Sequence, residues 1–282
     1  MKKTLFVAVL FITSAAHAFE WTPAEERQIA AIQKQVKRDR DGAWTVERGN
    51  YAFRSHDARF TAEMAVYTAL FEKAFRDTMP CKTKLPGKFK ITVTAYDGNN
   101  DKQRNEIFKR VGFTGEITTW RYGWGWGEGS NAYFFANKCF SESQIVLEHE
   151  LAHVYLFLMG LPHESLRFIH EGFASYFYPK KQRVPLSYNL KDYVNMSHAK
   201  WFDGSVSVQE NGAASQLFMY FMMEGPKRRE LLGTMLDRAF KGMKPLTDAE
   251  IKKLEPAWNA YMKMTEPEQR EQSHLSRIRE GR

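Results

Sequence analysis

Four ionisable residues, Glu148, His149, Glu150 and His153, stand inside the strongly apolar stretch 144–160, QIVLEHELAHVYLFLMG. Burying an unpartnered carboxylate or imidazole costs several kcal/mol, comparable to the net stability of a small domain, so such groups require partners. His149 and His153 are four residues apart. On a helix that spacing stacks two imidazoles on one face, where both can reach a single metal ion at about 2.0–2.1 Å. Glu150 follows His149 and is rotated from it by roughly 100°, which aims it beside the metal, where it can take a proton from water. The pattern is H-E-x-x-H, and its chemistry is hydrolysis at zinc with the glutamate as general base.

The segment that carries these residues reads as a helix of about five turns. Ser141 and Gln144 make a capping-box pair near its start, and Gly160 followed by Pro162 marks its end. A zinc site needs a third protein ligand, with the fourth position left for water. Leu156 and Met159 occupy the places where a metzincin pattern has glycine and a third histidine, which excludes that class. The remaining nearby candidates are His163, Glu164, His170 and Glu171. His163 and Glu164 fall at the turn after Pro162, too early for the chain to reverse and face His149. Ser165 to Tyr178 reads as a second helix, apolar along Leu166, Ile169, Phe173 and Phe177, and suited to pack antiparallel on the first. His170 and Glu171 project roughly 100° apart, so only one can be a ligand. The small neighbours Gly172 and Ala174 would let the second helix approach closely at Glu171, whereas His170 reads as a surface or supporting histidine.

H-E-L-A-H, followed eighteen positions after its second histidine by E-G-F-A-S-Y-F, resembles the gluzincin metallopeptidases. Among these it is similar to the bacterial exported peptidase-MA-like proteins, whose second helix carries an E-G-x-A-x-Y signature. The order of elements extends the likeness over about Trp44 to Met223. The resemblance implies one zinc ion held by His149, His153 and Glu171, with Glu150 as general base and a protein or peptide as substrate. It also implies that Asn131 to Ala136 is a strand bordering the active-site cleft, able to hydrogen-bond an extended peptide as an added strand. Phe168 stands where relatives often have tryptophan, and Ser175 where thermolysin-like enzymes carry an acid that supports a histidine ligand. Tyr176, Tyr188, Tyr193, His198 and Tyr220 are possible oxyanion donors, but each alone reads as a structural aromatic or surface residue, and none is assigned that role.

Upstream elements must position this helix. Thr22-Pro23-Ala24-Glu25-Glu26 predicts an N-cap and a helix running to about Arg38, before Asp41-Gly42. Trp44 to Glu47 and Tyr51 to Arg54 predict short strands around Arg48-Gly49-Asn50. Asp57 then caps a long amphipathic helix with Phe60, Met64, Tyr67, Phe71 and Phe75 on one face. A strand over Phe89 to Tyr96 and a helix over Lys102 to Val111 follow. The segment 121–135, RYGWGWGEGSNAYFF, alternates glycine with Tyr122, Trp124 and Trp126. It reads either as a substrate-facing lid loop or as an ordinary hairpin whose aromatics pack on the core.

The chain as a whole sets the context. Lys2 and Lys3, an apolar run from Leu5 to Ile12, and Ala16-His17-Ala18 form a secretory signal peptide, residues 1–18, cleaved before Phe19. The expected location is therefore outside the cytoplasm, in a bacterial periplasm or secreted. About 264 residues then remain, enough for a substantial core. They divide into an N-terminal helix-and-sheet lobe over 19–140, a helical lobe with the zinc site over 141–264, and a charged tail over 265–282. In an oxidising compartment Cys81 and Cys139 are expected to form a disulfide. The formal charge of +8 becomes +6 without Lys2 and Lys3, and its dispersal, with no base-stacking aromatics between the basic residues, argues against nucleic-acid binding. No stretch is long and apolar enough for a membrane span. The expected fold is α+β: a mainly helical, zincin-like catalytic domain with a small mixed sheet whose edge strand borders the active-site cleft. The expected activity is peptide-bond hydrolysis at zinc. The alternatives are a catalytically silent zincin-like binding or scaffold protein of the cell envelope, discriminated in part by the intact Glu150, and hydrolysis of a non-peptide amide in the cell wall.

Overall fold

Asp57 and Asn100 each end a turn and start a helix by accepting a backbone N–H three residues on, from Phe60 at 2.8 Å and Gln103 at 3.0 Å. A computed structural model describes residues 8–9, 20–111, 124–136, 140–162, 166–177, 190–195 and 208–263. In it the helices are α1 (Pro23–Gln33), α2 (Ala58–Thr78), α3 (Asp101–Val111), α4 (Phe140–Leu158), α5 (Arg167–Tyr176), α6 (Leu190–Val194), α7 (Val208–Glu224), α8 (Pro226–Ala239) and α9 (Asp248–Lys263). The strands are β1 (Ala8–Val9), β2 (Lys37–Arg38), β3 (Trp44–Arg48), β4 (Tyr51–Ser55), β5 (Ile91–Asp97), β6 (Trp124–Glu128) and β7 (Asn131–Ala136). They form one mixed sheet in the order β1-β6-β7-β5-β4-β3-β2, parallel at β4–β5 and β5–β7 and antiparallel elsewhere. The protein is thus α+β. No helix among the described residues is long and apolar enough to cross a membrane.

The chain divides into two compact units, Met1–Lys73 with Gly87–Val154, and Ala74–Pro86 with Tyr155–Arg282. The first holds the sheet. Its core joins Phe53, Ile91, Val93 and Phe134 to Phe60, Met64, Tyr67 and Phe71 of α2. Phe140, at the start of α4, lies edge-on to Phe60 and Tyr67, with ring centroids 5.4 and 5.3 Å away. The second unit is helical, and its rings gather around the buried Trp258, with Phe218 and Phe221 at 5.9 and 5.4 Å.

Several expectations are corrected. Helix α1 starts at the predicted Thr22 N-cap, which makes a capping box with Glu25, but ends at Gln33, because Lys37 and Arg38 pair with β3 instead, and Asp39 closes the turn by accepting from Asp41 and Ala43 N–H. Of the two readings of the glycine–tryptophan segment the hairpin holds: from Trp124 onward it is a strand paired with β7 around a two-residue turn at Gly129 (φ 58°) and Ser130. Asn131–Ala136 is not an edge strand, since β5 and β6 pair with its two sides and leave no ladder for an added peptide. Ala8 and Val9, inside the expected leader, pair with Gly125 and Trp124 on the outer side of β6. Tyr122, Cys139, the rest of the leader and the 265–282 tail lie outside the described residues.

Cys81 is a free thiol rather than half of a disulfide. It is buried and donates to the Thr83 carbonyl at 3.1 Å, in a loop held by Asp237 of α8, which accepts from the N–H groups of Lys82 and Thr83. Burial, with the Asp237 charge adding to it, pushes the thiol up to about 11. Cys81 should therefore resist alkylation in the native protein at neutral pH and react once the protein is unfolded without reductant. Mass spectrometry of the alkylated peptide reads both states.

Thr247 and Glu250 cap α9 reciprocally, and Arg238 Nη1 reaches both Glu250 oxygens at 3.0 and 2.7 Å. The Arg238 hydrogen bonds are the main cause that lowers this carboxyl to about 2. A depressed acid contributes stability that is complete above its unfolded pKa, about 4.3, and is lost as pH falls toward 2. Arg238→Met should lower Tm at pH 7 and flatten the fall in Tm between pH 5 and 2, read by thermal melts across that range.

Candidate metal centre

Helix α4 carries the chemistry, and its end is built as the sequence predicts. Gly160 adopts φ 106°, Leu161 N–H returns to Leu156 O at 3.0 Å and Gly160 N–H to Phe157 O at 2.9 Å, a Schellman closure. Within the helix, Glu148, His149, Glu150 and His153 are all at most 3 % exposed.

The Glu148 carboxylate accepts a hydrogen bond from the Tyr67 hydroxyl of α2, buried at both ends. The sequence analysis places Tyr67 on the apolar face of α2 but does not pair it with Glu148. The only signal was a tyrosine on an otherwise apolar stripe, a residue that brings a polar tip into a core. His149 and His153 turn their Nε2 atoms to each other at 3.0 Å, with ring planes at 82°. Two nitrogens bound at about 2.0–2.1 Å to one tetrahedral ion stand about 3.3 Å apart, so this pair is close to ligand spacing. Glu150 is packed under β6. An ideal Cβ built on Gly125 would stand 2.7 Å from its Cγ and 2.8 Å from its Oε1.

Helix α5 supplies the remaining residues. Glu171, the third ligand that the resemblance implies, stands on this helix and is 6 % exposed. Two imidazoles and one carboxylate form a donor set suited to zinc. Arg167, four residues before Glu171, is buried and sets its Nη2 2.7 Å from Glu171 Oε1. Arg167 is a site residue that the sequence analysis did not single out, although an arginine at i−4 of a candidate ligand on a mostly apolar helix was a readable signal.

Two expectations are corrected here. His170 is not a surface residue: it is fully buried, with Nε2 3.1 Å from the Pro162 carbonyl, which fixes α5 to the segment after α4. Gly172 does allow a close approach, but to α7, where a Cβ would meet Met219 Cγ at 2.7 Å and the Ser215 carbonyl at 2.9 Å. Ser175 is buried and its carbonyl accepts from Gln216 of the same helix α7. Among the oxyanion candidates, the Tyr193 hydroxyl is committed to Ser215 Oγ and Asn211 O, Tyr220 is buried and Tyr176 half-buried, their rings 5.1 Å apart. His163, Glu164, Tyr188 and His198 lie outside the described residues.

No family model matches this chain, and no curated protein matches it in sequence.

The Tyr67–Glu148 pair gives a direct test of how α4 is held. Tyr67→Phe keeps the ring and removes the donor, and should cost about 1–3 kcal/mol in urea unfolding with an unchanged m value.

Proposed function

We propose that this chain is an exported, zinc-dependent metallopeptidase, in which His149, His153 and Glu171 hold the metal and Glu150 is the general base. The observation that carries the reading is the buried convergence of His149 and His153, whose Nε2 atoms stand 3.0 Å apart, near the spacing of two ligands on one ion. The gluzincin likeness at 149–153 and 171–177 supports it. So does the leader, which directs such an enzyme to protein or peptide outside the cytoplasm.

Bound there, zinc would polarise the scissile carbonyl and acidify a water molecule. Glu150 takes the proton from that attacking water and returns it to the leaving amine. Its place one residue from His149 sets it beside the ligands rather than among them. Arg167 holds Glu171 Oε1 at 2.7 Å, orienting the carboxylate as outer partners of metal ligands do. The same ion pair supports a second reading, a silent zincin-like scaffold in which Arg167 alone answers the Glu171 charge. Glu150 favours the enzyme, since metal binding by itself does not need it.

Zinc-loaded protein beginning at Phe19 should bind about one ion per chain and cut a diverse peptide mixture. Its Glu150→Gln variant should hold the ion and make none of those cuts, as read by metal analysis and mass spectrometry. Stoichiometric zinc in a His149→Ala, His153→Ala double variant would overturn the metal centre. Zinc held by the native chain without cleavage of any peptide would leave the scaffold reading.

A further inference from the structure

The run Trp124-Gly125-Trp126-Gly127-Glu128 reads as period two on strand β6. Gly125 and Gly127 are both buried and share one face of the strand. At Gly125 an ideal Cβ would meet Glu150 Cγ at 2.7 Å, Glu150 Oε1 at 2.8 Å and the Tyr133 carbonyl of β7 at 2.8 Å. Side-chain-bearing residues essentially never sit this close. The volume that a side chain at 125 would fill is the volume in which the Glu150 carboxylate lies.

We infer that Gly125 sets the position of the Glu150 carboxylate and is a positioning residue for the hydrolysis proposed above; the catalytic part of this role rests on that reading. A methyl group at 125 presses on both neighbours: the β6–β7 ladder must give at the Tyr133 carbonyl, and the Glu150 side chain must swing away. A side chain on rotatable bonds yields further than a hydrogen-bonded backbone, so Glu150 takes the larger displacement. A displacement of about 1 Å at a catalytic group costs on the order of 10²-fold in rate. The three atoms nearest the added methyl belong to Glu150 and Tyr133 and none to the histidines, so metal binding is retained.

The test is Gly125→Ala in the zinc-loaded protein, made in the native background and with Glu150→Ala. Gly87→Ala serves as control, because Gly87 is exposed and has open space at its Cβ. Gly125→Ala should keep its zinc and lose about 10²-fold in kcat with KM little changed. Its drop in Tm should shrink clearly in the Glu150→Ala background, where Cγ and Oε1 are gone. Native kcat in Gly125→Ala would overturn the proposal, as would equal Tm losses in both backgrounds, which would assign the clash to the Tyr133 carbonyl. If Gly125→Ala alone does not fold, recovery of folded protein with Glu150→Ala supports the proposal and failure of both variants overturns it. If the native chain cuts no peptide, the metallopeptidase reading fails, while the Tm comparison still decides whether Gly125 places Glu150.

Discussion

Four ionisable side chains buried on one helix are the constraint around which the protein is arranged. Removing an unpartnered charge or a strong hydrogen-bonding group from water costs more than an ordinary packing contact returns, so α4 is stable only where each group meets its answer. Glu148 meets a tyrosine hydroxyl of α2 and His149 and His153 meet each other, while Glu150 fills the space beside Gly125 of β6. The burial of α4 thus depends on the sheet and on α2, whose Phe60 and Tyr67 rings pack edge-on to Phe140 at its start.

The helical unit faces the same difficulty around Glu171 and His170. Arg167 lies one turn before Glu171 and reaches it at 2.7 Å, while the His170 ring is taken by the Pro162 carbonyl. With Gly172 pressed on α7 at Ser215 and Met219, α5 has little freedom to rotate or slide. A carboxylate on a helix fixed in this way is preorganised, which is what a metal ligand or a structural ion pair both require.

Local rules made much of this legible. The apolar stripe of α2 and the α4 terminator at Gly160 follow from spacing and turn chemistry, as do the Asp57 cap and the H-E-x-x-H face, all properties of residues within a few positions of each other. What stayed hidden was pairing across distance. Nothing local says that Tyr67 should meet Glu148 eighty-one residues later, or that Asn131–Ala136 would be enclosed by a strand on each side. Composition also misled. A pair of cysteines in a chain expected to be exported reads as a bridge, yet Cys81 is buried as a thiol on the Thr83 carbonyl. His170, read as a surface or supporting residue, is fully buried, which removes the surface reading.

The glycine–tryptophan run shows how an apparent defect in a local pattern can mark a tertiary requirement. Glycine weakens a strand by roughly 0.5–1 kcal/mol relative to alanine, and it contributes no side chain to the sheet's packing. Two glycines on the same face of a five-residue strand are thus a net loss for β6 taken alone. The loss has an evident return at Gly125, where the missing Cβ is the space that Glu150 fills. A strand chosen for its own stability would carry valine or threonine there, and Glu150 would have to lie elsewhere. The unusual composition of β6 is accounted for at Gly125 by the carboxylate beneath it, so the most irregular stretch of sequence and the most chemically loaded helix are two sides of one constraint.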